Sequence, residues 1–145
     1  MSKLTQIIAN LEKLNLQNEV NRIIKENELD ILNLVFQDQL YEKGEDAKGN
    51  KLPMPYSPFT IENNKIPENL PYDRITLYQE GDFHRKSKLI QEGDNFIITS
   101  TDEKKDMLLS QWGDILNLQE ENKNLLIRVY VYPELIKQTK NALRL

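Results

Sequence analysis

The stretch Leu29-Asp-Ile-Leu-Asn-Leu-Val-Phe-Gln-Asp-Gln-Leu-Tyr41 decides the fold, because two apolar stripes run through it at helical spacing. The first stripe begins earlier in the chain and consists of Val20, Ile24, Asn27, Ile31, Leu34, Asp38 and Tyr41. The second stripe consists of Leu29, Leu32, Phe36 and Leu40. A helix that is apolar on two sides must be covered from two directions. We therefore expect either a central core helix under a sheet or a helix of which one stripe meets a neighbouring subunit.

A shorter helix is predicted on the N-terminal side of this stretch. The apolar residues that recur there at helical spacing are Leu4, Ile7, Ile8, Leu11 and Leu14. Ser2 is placed to cap this helix with its hydroxyl, and a break is expected near Asn15. The N-terminal third of the chain is therefore predicted to be helical.

A long loop is predicted on the C-terminal side. Gly44 is expected to end the helix in a left-handed conformation, and the polar run Glu45-Asp-Ala-Lys-Gly-Asn50 that follows cannot pack a core. Five of the six prolines then occupy positions 53, 55, 58, 67 and 71, where they keep the preceding residues out of helical geometry. Residues 44–72 are far longer than the typical ~4–6-residue connection. We interpret them as an extended, proline-rich arm.

A small antiparallel sheet of about three strands is predicted after the arm. Arg74-Ile-Thr-Leu-Tyr78 alternates apolar and polar side chains, as a half-buried strand does. Lys88–Gln91 and Phe96–Thr99 flank Glu92-Gly-Asp-Asn95, which is typical of a hairpin turn.

Helices are predicted to close the chain. Asp102 can cap a helix that ends at Gly113. The stretch 118–132 is ambiguous, because its β-branched and aromatic residues favour a strand, while a helical stripe continues across Pro133. That stripe consists of Leu125, Val129, Tyr132, Ile136, Thr139 and Leu143. We favour a helix kinked at Pro133, and hence an α+β fold in which residues 1–145 form a single domain.

Composition narrows the class of protein. The chain has no cysteine, which excludes disulfides, thiol nucleophiles and thiolate metal sites. Its 23 acidic and 19 basic residues give a net charge of -4, which disfavours nucleic acid and anionic membranes as partners. No export signal is visible at the start, and the most apolar stretch is too short and too polar to cross a bilayer. We expect protein partners, with no specific nucleic acid and no membrane.

The residues that carry chemistry in enzymes are scarce. His84 is the single histidine, and the adjacent Arg85 and Lys86 should lower its basicity and oppose a bound metal ion. The Glu45–Asn50 run is faintly similar to a calcium loop but has the wrong spacing for an EF-hand. No pair of carboxylates stands out by context, so a hydrolase ranks last. We expect no catalytic, cofactor-binding or metal-ligating residue.

Several short motifs carry a resemblance to a known family. They are Gly44-Glu-Asp-Ala-Lys-Gly49, Tyr56-Ser-Pro-Phe-Thr60, Asp73-Arg-Ile-Thr-Leu-Tyr78, Gly81-Asp-Phe83 and Trp112-Gly-Asp-Ile-Leu-Asn-Leu118. In this order they resemble the tail-completion, or virion-morphogenesis, proteins of tailed bacteriophages, and the third resembles the form found in phages of gut Bacteroidota. Glu80 departs from the family pattern, which has threonine before the glycine.

The resemblance implies a structural subunit without catalytic residues. Such a subunit is made in the host cytoplasm and built into the virion as a head–tail connector, where its copies form a ring below the portal and contact portal, neck or tail proteins. The arm is our candidate for the contact between subunits, since a preset backbone loses less entropy on docking. The candidate contact residues are Asp46, Lys51, Tyr56, Phe59, Arg74, Phe83 and Arg85. The alternative is a small protein-binding module, a phage-encoded adaptor or inhibitor.

Overall fold

The computed structural model describes residues 2–52, 75–78 and 81–143 of the chain. The first helix, α1, spans Lys3–Lys13, and the Ser2 hydroxyl caps it by accepting a hydrogen bond from the Thr5 backbone. The second helix, α2, spans Leu16–Glu26 and is capped by the Asn15 side chain. Side chains of these types satisfy N–H groups that the start of a helix leaves unpaired. The predicted short helix and the break near Asn15 are therefore confirmed.

The stretch that decides the fold is helical, but its geometry changes halfway. Helix α3 spans Glu28–Asn33, and a π-helix, π1, continues it over Leu34–Lys43. Each backbone hydrogen bond of a π-helix spans five residues, so side chains four and five positions apart share a face. The buried residues of π1 are Val35, Phe36, Gln39 and Leu40. Gly44 ends π1 with φ at 62°, which confirms the predicted left-handed termination.

Leu29 does not share the covered face that its spacing predicts. It is 72% exposed, whereas Leu32, three residues later, is 7% exposed. The buried face of α3 centres between Ile31 and Leu32. Because successive helical residues are about 100° apart, Leu29 points roughly 100° away from that face. The helix is thus covered on one broad side and exposes an apolar side chain on another.

The predicted hairpin is confirmed. Strand β1 spans Ser87–Glu92 and strand β2 spans Asn95–Ser100. They pair antiparallel with Glu92 opposite Asn95, so the turn consists of Gly93 and Asp94. Gly93 has φ at 61°, which tight hairpin turns of this kind require and glycine adopts without strain.

The expected third strand is absent from residues 75–78, so within the described residues the sheet has two strands and not about three. Leu77 has φ at 55°, which is incompatible with an extended strand. The Thr76 hydroxyl accepts a hydrogen bond from the Tyr78 backbone N–H, and the Tyr78 carbonyl accepts one from Gly81. A short helix, α4, follows over Asp82–Arg85.

Helix α5 spans Lys105–Trp112 and ends, as predicted, at Gly113, whose φ is 77°. Asp102 acts just upstream of α5, where its carboxylate accepts a hydrogen bond from the Lys104 backbone N–H. The cap of α5 itself is Lys104, without a side-chain bond, so the predicted capping role of Asp102 is wrong in detail.

The ambiguous stretch before Pro133 is helical from Glu120 onward, as we favoured. Helix α6 spans Glu120–Leu126, a second π-helix, π2, spans Ile127–Val131, and helix α7 spans Tyr132–Leu143. Pro133 lacks an N–H and crowds the carbonyl four residues before it. The chain accommodates this with the wider turns of π2 in the residues that precede the proline.

Two clusters of buried side chains form the core, and the hairpin joins them. The buried members of the larger cluster are Leu32, Val35, Phe36, Leu40, Leu52, Ile75, Phe83, Ile115 and Leu116. Those of the smaller one are Ile23, Ile31, Leu126 and Val131. Leu89 and Ile98, which face each other across the hairpin, pack against both clusters. The protein is therefore a mixed helix-and-sheet fold.

Within the part of the chain that the structure describes, no helix has the length and hydrophobicity that crossing a membrane requires.

Candidate functional site

The first part of the predicted arm is a closed turn on the protein surface. Glu45 and Lys51 form an antiparallel bridge, and the Asp46 carboxylate accepts hydrogen bonds from the Lys48 and Asn50 backbones at 2.9 and 3.0 Å. The Lys51 ammonium donates to the Lys43 carbonyl at 2.8 Å. Both candidate contact residues, Asp46 and Lys51, thus make bonds within their own segment.

This turn is also attached to the body of the protein. The Gln119 amide donates to the Glu45 carboxylate and to the Asp46 carbonyl, and the Ala47 N–H donates to the Asp114 carbonyl. Leu52, which follows, is buried in the larger core cluster. Residues 44–52 are therefore attached to the body of the protein, although residues 48–51 are exposed. The remainder of the proposed arm, from residue 53 to residue 72, lies outside the described residues.

The other candidate contact residues do not come together in one place. Phe83 is 3% exposed, so its ring packs inside the subunit and is not available to a partner. The Arg85 side chain is 61% exposed and forms an ion pair with Asp82. Tyr56, Phe59 and Arg74 lie outside the described residues. Among the candidates that the structure describes, Lys51 and Arg85 are exposed.

A buried network of amide side chains holds π1 against α6. The fully buried Gln39 donates to the Asn117 carbonyl and accepts from the Gln119 backbone, each at 2.9 Å. The Asn122 amide donates to Gln39 at 2.9 Å and to Asp38 at 3.1 Å. Within the described residues, no buried side-chain nitrogen or oxygen lacks a partner. A network this well satisfied stabilises the fold and leaves no polar group aimed at a ligand.

His84 is half-buried and contacts aromatic rings. Its Nε2 lies 3.1 Å from the Thr76 carbonyl, and the ring makes edge contacts with Phe36, Tyr78 and Phe83. Burial lowers the pKa of His84 from 6.5 to about 4, and the bond to Thr76 opposes this only in part. The sequence analysis predicted this direction of the pKa shift, but the cause is burial and not the neighbouring cations Arg85 and Lys86. At neutral pH the ring is uncharged and acts as a packing residue.

The lowered pKa of His84 predicts that the stability of the protein depends on pH. The unfolded chain takes up a proton near pH 6.5 and the folded chain only near pH 4, so between these values the unfolded state holds more protons. Stability therefore rises with pH across this window. We expect the free energy of unfolding to be about 2 kcal/mol lower at about pH 5 than at about pH 7.5 from this group.

Urea denaturation of the wild type and of His84→Gln at both pH values measures this contribution. Carboxylates that titrate in the same range affect both proteins alike, so the difference between the two pH dependences isolates the histidine. An equal pH dependence in both proteins would contradict the burial argument.

The first and last described helices carry exposed apolar stripes that the core does not cover. Within α1 and α7, no residue is buried, although the two helices contact each other. On α1 the exposed fractions are 67% for Leu4, 47% for Ile8 and 40% for Leu11. On π2 and α7 they are 51% for Val129, 58% for Tyr132 and 55% for Ile136. We call these six side chains the terminal-helix surface.

The spacing of the α1 stripe is that of a helix contact. Leu4, Ile8 and Leu11 step by four and three residues, and Val129, Tyr132 and Ile136 step by three and four. On α1 this alternation produces the narrow apolar seam along which helices of a bundle pack together. Val129 lies in π2, where side chains three positions apart do not share a face, so only Tyr132 and Ile136 of the second stripe keep α-helical spacing. The sequence revealed both stripes, and their exposure could be learned only from the packing.

The terminal helices carry more exposed basic residues than acidic ones. In α1, π2 and α7 the exposed basic residues are Lys3, Lys13, Arg128, Lys137 and Lys140. The acidic residues of these elements are Glu12 and Glu134. Glu134 is already engaged by Gln138 at 3.1 Å and by Arg22 at 3.4 Å. α1, π2 and α7 thus carry a net positive charge, in a protein whose overall charge is -4.

No family model, no curated protein and no solved structure matches the chain.

Proposed function

We propose that the protein is a non-enzymatic structural subunit that associates with copies of itself through the terminal-helix surface, and that it serves as a head–tail connector or tail-completion subunit of a tailed bacteriophage. The observation that carries self-association is the exposure of two helical stripes on adjacent helices. Portal, neck or tail proteins are its proposed neighbours in the virion, where it forms a ring below the portal after synthesis in the host cytoplasm.

The energetics support an interface at this surface. Removing one large apolar side chain from water contributes roughly 1.5–3 kcal/mol. Helices of 11 and 12 residues, the lengths of α1 and α7, are marginal without packing partners. Since neither helix buries a residue within the subunit, covering its stripe with a second protein surface stabilises both the helix and the assembly.

The phage assignment is supported by the motifs that resemble tail-completion proteins. Of these, Gly44–Gly49 forms the closed turn, Gly81–Phe83 leads into α4, and Trp112–Leu118 follows the end of α5. All are used to build the subunit, as expected for a family of structural proteins. The contact between copies is proposed at the terminal helices, where the exposed apolar stripes lie.

Light scattering coupled to size exclusion tests self-association. We expect the wild type to form species larger than the 17.1 kDa monomer, and the double variant Ile8→Glu, Ile136→Glu to associate at least about tenfold more weakly, because buried carboxylates would face an apolar partner. The matched control is Met107→Glu, which changes an equally exposed residue on α5 and should leave association unchanged. A wild type that stays monomeric at every concentration would contradict the proposal.

Electron microscopy and mass spectrometry of purified particles test the place in the virion. The connector function requires ordered, stoichiometric copies at the neck or tail. Recovery from the soluble lysate alone would argue against a connector and favour the adaptor or inhibitor.

A further inference from the structure

We infer that the outer edge of strand β2 is a second contact surface of the protein, and that it pairs antiparallel with the same edge of a second copy, centred on Ile97. This contact is separate from the terminal-helix surface and does not depend on it. The inference is carried by the direction of the backbone groups of β2, by the residues of this strand and by two exposed isoleucines beside its edge.

The register of the hairpin determines which backbone groups of β2 point away from β1. Opposite residues of an antiparallel pair alternate between those that exchange two hydrogen bonds and those that exchange none. The Thr101 N–H donates to the Lys86 carbonyl directly opposite, so the bonded pairs fall on every second position from there and include Ile97. Phe96 and Ile98 belong to the non-bonded pairs, and their N–H and C=O groups therefore point to the outer side of β2.

The two outer edges of the hairpin differ in how these groups are satisfied. On the β1 side, the outward N–H of Leu89 donates to the Glu28 carboxylate of α3 at 3.0 Å. On the β2 side, no hydrogen bond to the backbone of Phe96 or Ile98 is formed by any group in the described part of the chain. Unpaired N–H and C=O groups in a row bind another extended strand.

Strand β2 lacks the residues that usually protect an open edge. Charged side chains, proline and bulges at such edges prevent pairing with another chain. The strand reads Asn95-Phe-Ile-Ile-Thr-Ser100, without a charge or a proline, and it pairs with β1 without a bulge. The Lys105 ammonium approaches it at the Thr99 hydroxyl, 3.5 Å away, beyond the open stretch of residues 96–98. A second copy of β2 therefore brings no like charge to this stretch.

A register centred on Ile97 satisfies every outward group of the open stretch. It places Phe96 of each copy opposite Ile98 of the other, and each of these two pairs exchanges two hydrogen bonds. Ile97 then lies opposite Ile97 of the second copy as a non-bonded pair, in which the side chains come closest. The edge of β2 is thus complementary to itself. A contact between identical edges joins copies in pairs.

The same register covers an apolar pair that the subunit leaves in solvent. Ile90 and Ile97 lie opposite each other in the hairpin and are 43% and 41% exposed. They lie on the face opposite to that of Leu89 and Ile98, which pack against the core. Pairing of the two edges aligns both isoleucines of each copy in a row of four across a four-stranded sheet. Such cross-strand contacts remove apolar surface from water on both copies.

Cysteine crosslinking tests this register in a chain that has no cysteine of its own. In Ile97→Cys, the inferred pairing brings the two substituted Cα atoms to about 4.5 Å, within the range of roughly 4.4–6.8 Å that a disulfide spans. Ile90→Cys is the matched control, because Ile90 is equally exposed but lies three strand spacings, about 14 Å, from its counterpart in the second copy. We expect oxidation to convert Ile97→Cys to a covalent species of twice 17.1 kDa at least about tenfold faster than Ile90→Cys.

The other outcomes of the crosslinking decide against the inference. Equal rates for the two variants indicate random collisions, or an edge that binds a strand of a different protein, and would overturn the pairing of two copies. Circular dichroism under reducing conditions confirms that both variants are folded.

Amide hydrogen exchange followed by NMR tests the backbone bonds in the wild type. We expect the Phe96 and Ile98 amides to exchange at least about tenfold more slowly well above the association midpoint than in dilute solution. The Ile97 amide, which is bonded within the hairpin, should be protected at both concentrations. Phe96 and Ile98 amides that are protected at every concentration would show that the same chain covers the edge, and would overturn the inference.

The double variant Ile8→Glu, Ile136→Glu separates this contact from the proposed function. Strand β2 lies outside the terminal-helix surface, so crosslinking in this background should keep its preference for position 97. A preference that disappears there would overturn the inference and leave the terminal-helix contact intact. A preference that persists, in a protein that forms no larger assembly through its terminal helices, would support the inference and contradict the proposed function.

Discussion

Replacing Leu40 with alanine is expected to lower the free energy of unfolding by about 2–5 kcal/mol, the range that deleting a fully buried leucine side chain produces. Leu40 has no exposed surface and lies in the larger core cluster. The cost has two parts, the lost transfer of the apolar atoms out of water and the cavity that remains. π1 cannot move freely to fill that cavity, because Gln39, the preceding residue, is tied to Asn117 and to the Gln119 backbone.

Urea denaturation followed by circular dichroism measures this loss. The matched control is Met107→Ala, which removes an apolar side chain that is 57% exposed and should change stability by less than about 0.5 kcal/mol. For a chain of this size the Leu40 variant should melt roughly 5–15 °C below the wild type. Equal effects from the two substitutions would contradict the placement of Leu40 in the core.

Replacing Gln39 with leucine is expected to lower the free energy of unfolding by roughly 2–4 kcal/mol, although leucine is apolar and of similar size. The substitution leaves the Asn117 carbonyl and the Gln119 N–H without the bonds that Gln39 makes to them, and removes one partner of Asn122. Each buried polar group left unpaired costs about 1–3 kcal/mol. The loss of hydrogen bonds thus exceeds what the added apolar burial contributes.

Gln37→Leu is the control for this prediction, because it makes the same chemical change on the exposed side of π1. Its side chain bonds to Glu42 at the surface, where water can replace the lost partner. Chemical denaturation of both variants gives the comparison. A Gln39→Leu protein as stable as Gln37→Leu would show that the network contributes little.

Features that depend on neighbouring residues were predictable from the sequence. Ser2 and Asn15 begin helices, and Gly93 turns the hairpin, because a cap or a tight turn is determined within a few residues by hydrogen bonds and by allowed φ values. Gly44 and Gly113 end their helices for the same reason. The preference for helix after residue 118 also held, since the helical stripe there outweighs the β-propensity of single residues.

Features that depend on distant parts of the chain were not predictable from the sequence. The strand expected at residues 75–78 is a turn, because the Thr76 carbonyl and hydroxyl are engaged by His84 and by Tyr78. Nothing in the local pattern signals that π1 buries Gln39 among amide groups some 80 residues later in the chain. The lowered pKa of His84 likewise arises from burial and not from its neighbours in sequence.

The two apolar stripes of Leu29–Tyr41 illustrate the difference between what the sequence determines and what the tertiary structure determines. The sequence alone determined that this stretch is helical and apolar on more than one side, because periodicity is a property of the local chain. The tertiary structure decided which side is covered. Ile31, Val35 and Leu40 are buried in the two core clusters, against which the hairpin packs, whereas Leu29 is exposed. Hydrophobicity determines that a side chain gains by burial, but only the arrangement of the other elements determines whether the subunit itself provides the cover.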